Sequence, residues 1–396
     1  MLADVDTLLY FSLFLLALSG WYAAVIWRRG RAWERLPTVA PPPMSTLPGA
    51  ESAKEEIRFS VLVAARDEAA ALPALLADVA AQEFPKENLE VIVVDDYSTD
   101  ATAAVVADFA ARAAVAVRLL RLADFPGAGT GKKAALALAL AHARHPWVAC
   151  TDADCRVGPR WLTSFADTLC RRPSLDFLSG PVALCPDGTA WARLQVVEFA
   201  GLVGVGAASL ALGQPNMCNG ANLAYRRAAW AEVGGFAGHH HVASGDDEFL
   251  LHALWARRPG SAAFVRHPDA TVRTAAAPTV RAFLRQRVRW ASKWRHYRRP
   301  DVQALAAGVF LLNLGLLVGA LPAVVRPAWA APVALAWGAK LAVDTWFLRL
   351  ILRFQGDTRH LGRSVVAWQL LYVPYVVLVG LLGLCGRYRW KGRRVG

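Results

Sequence analysis

The sequence predicts an α/β domain, a mostly parallel sheet flanked by helices, set between apolar helices at both ends of the chain. Three observations predict it. Two short β-branched runs, "RFSVLVAA" (58–65) and "LEVIVVDD" (89–96), stay apolar almost from end to end, as parallel strands buried on both faces do. The stretches beside them have helical length and composition, so strand and helix alternate. Apolar runs near both termini are long enough to cross a bilayer, whereas no uncharged run between about 57 and 300 is.

The first apolar segment is residues 7–27, "TLLYFSLFLLALSGWYAAVIW", 21 residues without a charge. Asp4 and Asp6 precede it and "RRGRAWERL" follows. A secretory signal carries its positive charge in front, so residues 1–28 read as an uncleaved transmembrane anchor. The positive-inside rule then places the chain from residue 28 onward in the cytoplasm. Residues 29–56, with "LPTVAPPPMSTLPGAESAKEE", read as a Pro-rich linker to a cytoplasmic domain at 57–300.

Within that domain "DEAAALPALLADVAAQ" is the first helix, and "YSTDATAAVVADFAARAA" supplies Ser98 or Thr99 as the N-cap of the second. A third helix, "KKAALALALAHAR", leads to "WVACTDADC" (147–155) as the third strand. Its aspartates therefore sit at a strand's carboxyl end, where open α/β sheets bind ligands. "PGAGTGKKA" looks like a phosphate loop but is not one: Pro126 stands in place of the first glycine and Lys133 in place of the magnesium-binding hydroxyl. Lys132 still offers a phosphate a point charge.

Residues 301–396 close the chain with apolar segments at about 302–325, 328–350 and 365–385 and a basic tail, "GRYRWKGRRVG". Lys340 and Asp344, four apart, share a helical face and read either as a buried pair or as lining for a polar path. Three full crossings would put the basic tail outside, against the positive-inside rule. Either the rule fails there, or one segment is re-entrant or interfacial.

Composition narrows the partners. Hydrophobic content is 55%, mean hydropathy +0.30 and formal net charge +13, with arginines clustered beside apolar segments. That pattern fits membrane lipids rather than nucleic acid. The six cysteines form no C-x-x-C pair and complete no zinc pattern, so they read as thiols in a reducing compartment.

Four acidic stations follow in order: Asp67/Glu68, Asp95/Asp96, Asp152/Asp154 and Asp246/Asp247. Gathered at one sheet edge they would repel unless they share a proton or a cation. A hard divalent ion held by one or two carboxylates plus substrate phosphates answers that, and leaves the later Asp-Asp free to act as a base.

Residues 57–300 resemble the family 2 glycosyltransferases through "VLVAARDEA", "VIVVDDYSTD", "GKKAAL", "TDAD", "CNGANLAYRR", "GDDEFLL" and "QRVRW". The last fits Q-x-x-R-W, typical of membrane members such as cellulose, chitin and hyaluronan synthases and ceramide glucosyltransferase. The resemblance implies a GT-A fold, a UDP-sugar donor, Mg²⁺ or Mn²⁺ and no organic cofactor. It implies that Asp67 or Glu68 and Asp95 hold the nucleoside, with Lys132 near the nucleotide. Asp152 and Asp154 would contact sugar and metal, Asp154 as the direct ligand. Asp247 would be the base, with Asp246, which stands where many members have Glu, as its alternative. Gln286, Arg289 and Trp290 would serve the acceptor and the diphosphate, Arg289 facing the departing diphosphate and Trp290 the acceptor. One base and no protein nucleophile implies inversion.

Two further stretches point to a membrane-associated lipid or glycan acceptor. "RAFLRQRVRWASKWRHYRR" (281–299) sets Phe283, Trp290, Trp294 and Tyr297 along one helical side, as an interfacial helix would. "FAGLVGVGAASLALG" (199–213) is too short to span and reads as a core or interfacial helix. His239–His241 read as an active-site loop or plain surface. The expected protein is a multi-pass enzyme of the inner (plasma) membrane transferring one hexosyl or N-acetylhexosaminyl unit. A processive polysaccharide synthase is the alternative, and an inactive membrane scaffold the alternative of another class.

Overall fold

The computed structural model describes residues 2–37, 57–237, 245–293, 297, 299–357, 362–384, 388–390 and 393–395, with side chains from Asp6 to Leu384. From the N-terminus the elements run α1 (Leu2–Arg35), β1 (Phe59–Ala65), α2 (Leu72–Ala80), β2 (Leu89–Asp95), α3 (Thr102–Ala110), β3 (Ala116–Arg121) and α4 (Lys132–His142). Then come β4 (Trp147–Asp152), α5 (Trp161–Arg171), β5 (Phe177–Ser179), β6 (Val182–Cys185), α6 (Ala190–Ala211), β7 (Leu223–Arg226) and α7 (Arg227–Glu232). The chain closes with α8 (Glu248–Arg257), β8 (Ala262–Phe264), β9 (Val272–Ala275), α9 (Val280–Ala291), α10 (Pro300–Val325), α11 (Pro327–Phe354), α12 (Arg363–Leu384) and a small β10–β11 ribbon (Tyr388–Trp390, Arg393–Val395).

The chain divides into two compact units. One comprises Leu36–Cys185 and Pro215–Ala275; the other comprises Met1–Arg35, Pro186–Gln214 and Ala276–Gly396. Thus α6 and α9 belong with the terminal helices, although both fall inside the 57–300 block read from sequence.

The first unit is built on a seven-stranded sheet in the order β3-β2-β1-β4-β7-β5-β8. Its half formed by β1 to β4 is parallel, and β7 runs antiparallel to both β4 and β5. β1 and β2 are buried nearly throughout, which is why they read as unbroken apolar runs. "WVACTD" forms the fourth strand, not the third, and Asp154 follows it in a turn. β3, "AVRLLR", precedes it in the chain, and as a half-exposed edge strand carrying two arginines it lacks that apolar signature. Register pairs Ala65 with Asp95 and Ala64 with Asp152, so both aspartates end strands flanking β1. Asn222, fully buried, donates to the carbonyls of Pro181 and Ala270 (both 2.7 Å) and accepts from Trp161 Nε1 (2.9 Å), stitching the antiparallel part together.

Among the described residues of the second unit, four helical stretches are long and apolar enough to cross a membrane: Asp6–Arg35, Ala190–Ala211, Pro300–Val325 and Arg363–Leu384. The run beginning at residue 199 is therefore part of a 22-residue helix, contrary to the sequence reading that it is too short. Glu198, which interrupts the apolar pattern, is buried in an ion pair with Arg287 and does not end the helix. α11 is not among the four; Lys340, Asp344, Arg349 and Arg353 punctuate it.

Candidate active site

The loops after β1 and β2 are tied to each other. Asp67 and Tyr97 both take left-handed backbone (φ 53° and 56°), a strained choice for residues with side chains. The Asp67 amide donates to Ser98 Oγ (3.0 Å), and its carboxylate accepts from the Thr99 amide (2.7 Å) and hydroxyl (3.2 Å). The Thr99 amide is the main reason the Asp67 carboxyl is held below its ordinary pKa. Ser98 and Thr99 are thus spent on the β1 loop rather than capping α3; Asp100 instead accepts from the Thr102 amide (3.0 Å). Glu68 donates its amide to Thr102 Oγ1 (2.8 Å). Asp95 is buried at the end of β2, accepting from the Ser98 amide (3.3 Å). Its neighbour Asp96, also buried, accepts from the Gly131 amide (3.0 Å) at the start of α4.

That bond orients α4. Gly131 has φ +92°, which lets the chain turn so that Lys132 opens the helix. The Lys132 ammonium lies 2.6 Å from Asp152 Oδ1 and 3.5 Å from Asp246 Oδ2. Burial works against its charge, but Asp152 and then Asp246 hold its pKa well above the ordinary lysine value. Asp247 caps α8: its two carboxylate oxygens accept from the amides of Glu248 and Gly220, each at 2.8 Å. The structure thus brings Lys132, Asp152, Asp246 and Asp247 together around Gly220. Sequence reading placed Asp96 in an acidic station without a partner, and missed Gly131 and Gly220 as parts of this arrangement. Only the short polar-glycine stretches "VVDDYS", "GTGKK" and "CNGAN" hint at them.

The donor set fits a divalent cation. Ligand atoms of Asp152, Asp154 and Cys155 lie within 4.8 Å of one another, with Asp154 exposed and Asp152 half-buried. Two carboxylates at that spacing match the oxygen chemistry of Mg²⁺ or Mn²⁺. Cys155, one of the six cysteines read as plain thiols, is buried within this group, and burial pushes its thiol pKa far up. Cys150 is likewise pushed up, to about 12, by burial.

Gln286, Arg289 and Trp290 lie on α9 in the second unit. This helix ends at Ala291, so the aromatic row read across 283–297 does not continue as helix to Tyr297. Trp294 and His239–His241 lie outside the described residues.

A parallel-centred α/β sheet with a lysine-bridged carboxylate cluster at its strand ends has the architecture of a nucleotide-sugar-binding domain. Residues 60–234 match the family model for glycosyl transferase family 2, and this stretch of the chain is a domain of that family. Among solved structures the chain is similar to the mannosyltransferase PcManGT from Pyrobaculum calidifontis, described in complex with GDP-Man and Mn²⁺. The identity is 18% over 95% of this chain and 99% of that one, with a TM-score of 0.56. It also matches S. aureus TarS residues 1–349 (16% identity, 86% and 96% coverage, TM-score 0.42). A third match is glucosyl-3-phosphoglycerate synthase from Mycobacterium tuberculosis (19% identity, 65% and 84% coverage, TM-score 0.45). No curated protein sequence matches.

Proposed function

We propose that the chain is an inverting, metal-dependent glycosyltransferase that moves a sugar from a UDP-sugar to a hydroxyl of a lipid or lipid-linked acceptor at the cytoplasmic face of the plasma membrane. The observation that carries this is the Lys132 ammonium held between Asp152 and Asp246, which joins the donor-side carboxylates to the Asp246–Asp247 pair. Asp154, with Asp152, would hold Mg²⁺ or Mn²⁺, which when bound neutralises charge on the leaving diphosphate. The GDP-Man and Mn²⁺ described with the Pyrobaculum mannosyltransferase support a nucleotide-sugar donor and a divalent metal; the choice of UDP rests on the family resemblance.

Lys132 adds a fixed positive charge for that anion. Asp95 and Glu68 take the nucleoside, since the Asp67 carboxylate is already committed to Thr99. Asp247 receives the acceptor proton, its carboxylate oriented by the amides of Gly220 and Glu248. Asp246, 3.5 Å from the Lys132 ammonium, is the alternative base. Arg289 serves the diphosphate and Trp290 the acceptor. Four apolar helices and the arginines beside them support the membrane setting.

The test uses the full chain in detergent with Mn²⁺ and UDP-glucose, UDP-GlcNAc or GDP-mannose, following nucleoside diphosphate release. Asp154→Asn is expected to lower turnover at least 100-fold and to abolish Mn²⁺ binding. A wild-type protein that neither turns over nor binds any of the three donors overturns the enzyme reading.

A further inference from the structure

Q-x-x-R-W leaves its second position open, and here that position holds Arg287. On α9, Arg281 and Arg285 are exposed, but Arg287 is 3% exposed. Its guanidinium donates through Nε to Glu198 Oε1 on α6 (2.8 Å) and through Nη2 to Glu198 Oε2. Tyr375 on α12 donates its hydroxyl to the same Oε1 (3.0 Å). The remaining arm, Nη1, donates to Gln286 Oε1 (2.5 Å). The flat cation also lies over the rings of Phe283 (4.5 Å to the centroid) and Trp290 (4.3 Å).

Two of the three motif residues are therefore held by Arg287 directly. For Gln286 this has a chemical consequence. A guanidinium only donates, so the amide must turn its carbonyl oxygen inward; the flipped amide would set N–H against N–H. Its Nε2 then carries two N–H groups that no described residue accepts. What Gln286 offers a substrate is a pair of donors, and what it can bind is an oxygen acceptor. Trp290 has one face backed by the cation, which fixes the plane of the ring.

We propose that Arg287 is the positioning residue of this motif: anchored by Glu198 and Tyr375, it fixes Gln286 as an N–H donor to a substrate oxygen and backs Trp290. This rests on the glycosyltransferase reading above. The oxygen belongs either to the donor's diphosphate or to the acceptor, and the experiment separates them.

The full chain in detergent is compared as wild type, Gln286→Ala, Gln286→Glu, Arg287→Lys and the Gln286→Ala/Arg287→Lys pair, each checked by thermal unfolding. Nucleoside diphosphate release is followed from whichever of UDP-glucose, UDP-GlcNAc and GDP-mannose the wild type uses. Transfer is followed to lipids extracted from membranes. Gln286→Glu keeps an acceptor for Arg287, now an ionised one, and is expected to fold; yet it presents oxygens only. Its kcat/KM is expected to fall at least tenfold and to be no better than Gln286→Ala. The double variant is expected within about twofold of the worse single variant, because both changes remove the same donor.

A raised donor KM with weaker UDP binding assigns the oxygen to the diphosphate; intact donor hydrolysis with lost transfer to lipid assigns it to the acceptor. A wild-type-like Gln286→Glu beside an impaired Gln286→Ala, or losses that multiply in the double variant, overturns the proposal. If Arg287→Lys does not fold, the Gln286→Glu and Gln286→Ala pair decides alone. Unchanged turnover in Gln286→Ala, Arg289→Ala and Trp290→Ala together sinks the motif's role itself, and no wild-type turnover sinks the enzyme reading; the proposal falls with either.

Discussion

Gly220 is where the carboxylate pair and the lysine meet the backbone. A Cβ built there would stand 3.0 Å from Lys132 Nζ, 3.3 Å from Asp247 Oδ2 and 3.4 Å from Asp246 Oδ2. None of these is backbone, and each is the end of a side chain that can shift, so Gly220→Ala is expected to fold with a stability change under about 1 kcal/mol. The shift falls on the charged groups of the site, however. Turnover is expected to drop at least tenfold while the thermal midpoint hardly moves; a variant with wild-type turnover would show that Lys132 and Asp247 tolerate displacement. The aspartates of this site were legible in sequence because strand-end carboxylates are recognisable by position. Gly220 and Gly131 were not, because their part in the site is made by single backbone amides from distant loops.

β2 carries a buried acid at its other end. Glu90 accepts from Ser60 Oγ (2.6 Å), the Arg144 amide (2.6 Å) and Arg118 Nη2 (2.9 Å). Burial raises its pKa, but the Ser60 and Arg144 hydrogen bonds and the Arg118 charge outweigh it, and the net shift is downward. A folded pKa below the unfolded value, about 4.3, means its contribution is full above that value and fades as pH falls through the folded one. Glu90→Gln is expected to lose about 1–3 kcal/mol near neutrality. The gap from wild type should close on acidification; a gap independent of pH between about 6 and 3 would contradict the downward shift. At this scale the sequence revealed β1, β2 and β4, whose burial on both faces leaves an apolar run. β5, β7 and β8, three or four residues each, find their partners across long separations that no local pattern records.

Across the whole chain, the N-terminal helix and the C-terminal helices of the second unit meet at a buried ion pair that sequence left as either a bundle contact or a path. Lys340 Nζ lies 2.6 Å from Asp344 Oδ2 and donates to Gln369 Oε1 on α12 (2.7 Å). Tyr22 on α1 donates to Asp344 Oδ1 (2.7 Å), and Lys340 sits over the Tyr372 ring at 4.6 Å. With Lys340 1% and the Asp344 side chain 8% exposed and both partnered, the pair joins helices from opposite ends of the chain. Removing one member of such a pair strands the other charge, at a cost of about 3–5 kcal/mol, whereas neutralising both spares that cost. Lys340→Met is therefore expected to lower the unfolding temperature in detergent sharply. Adding Asp344→Asn, which still accepts from Tyr22, should recover at least half of the loss. A double variant as unstable as the sum of its singles would mean that these residues contribute separately, and not as the clasp between the two ends of the chain.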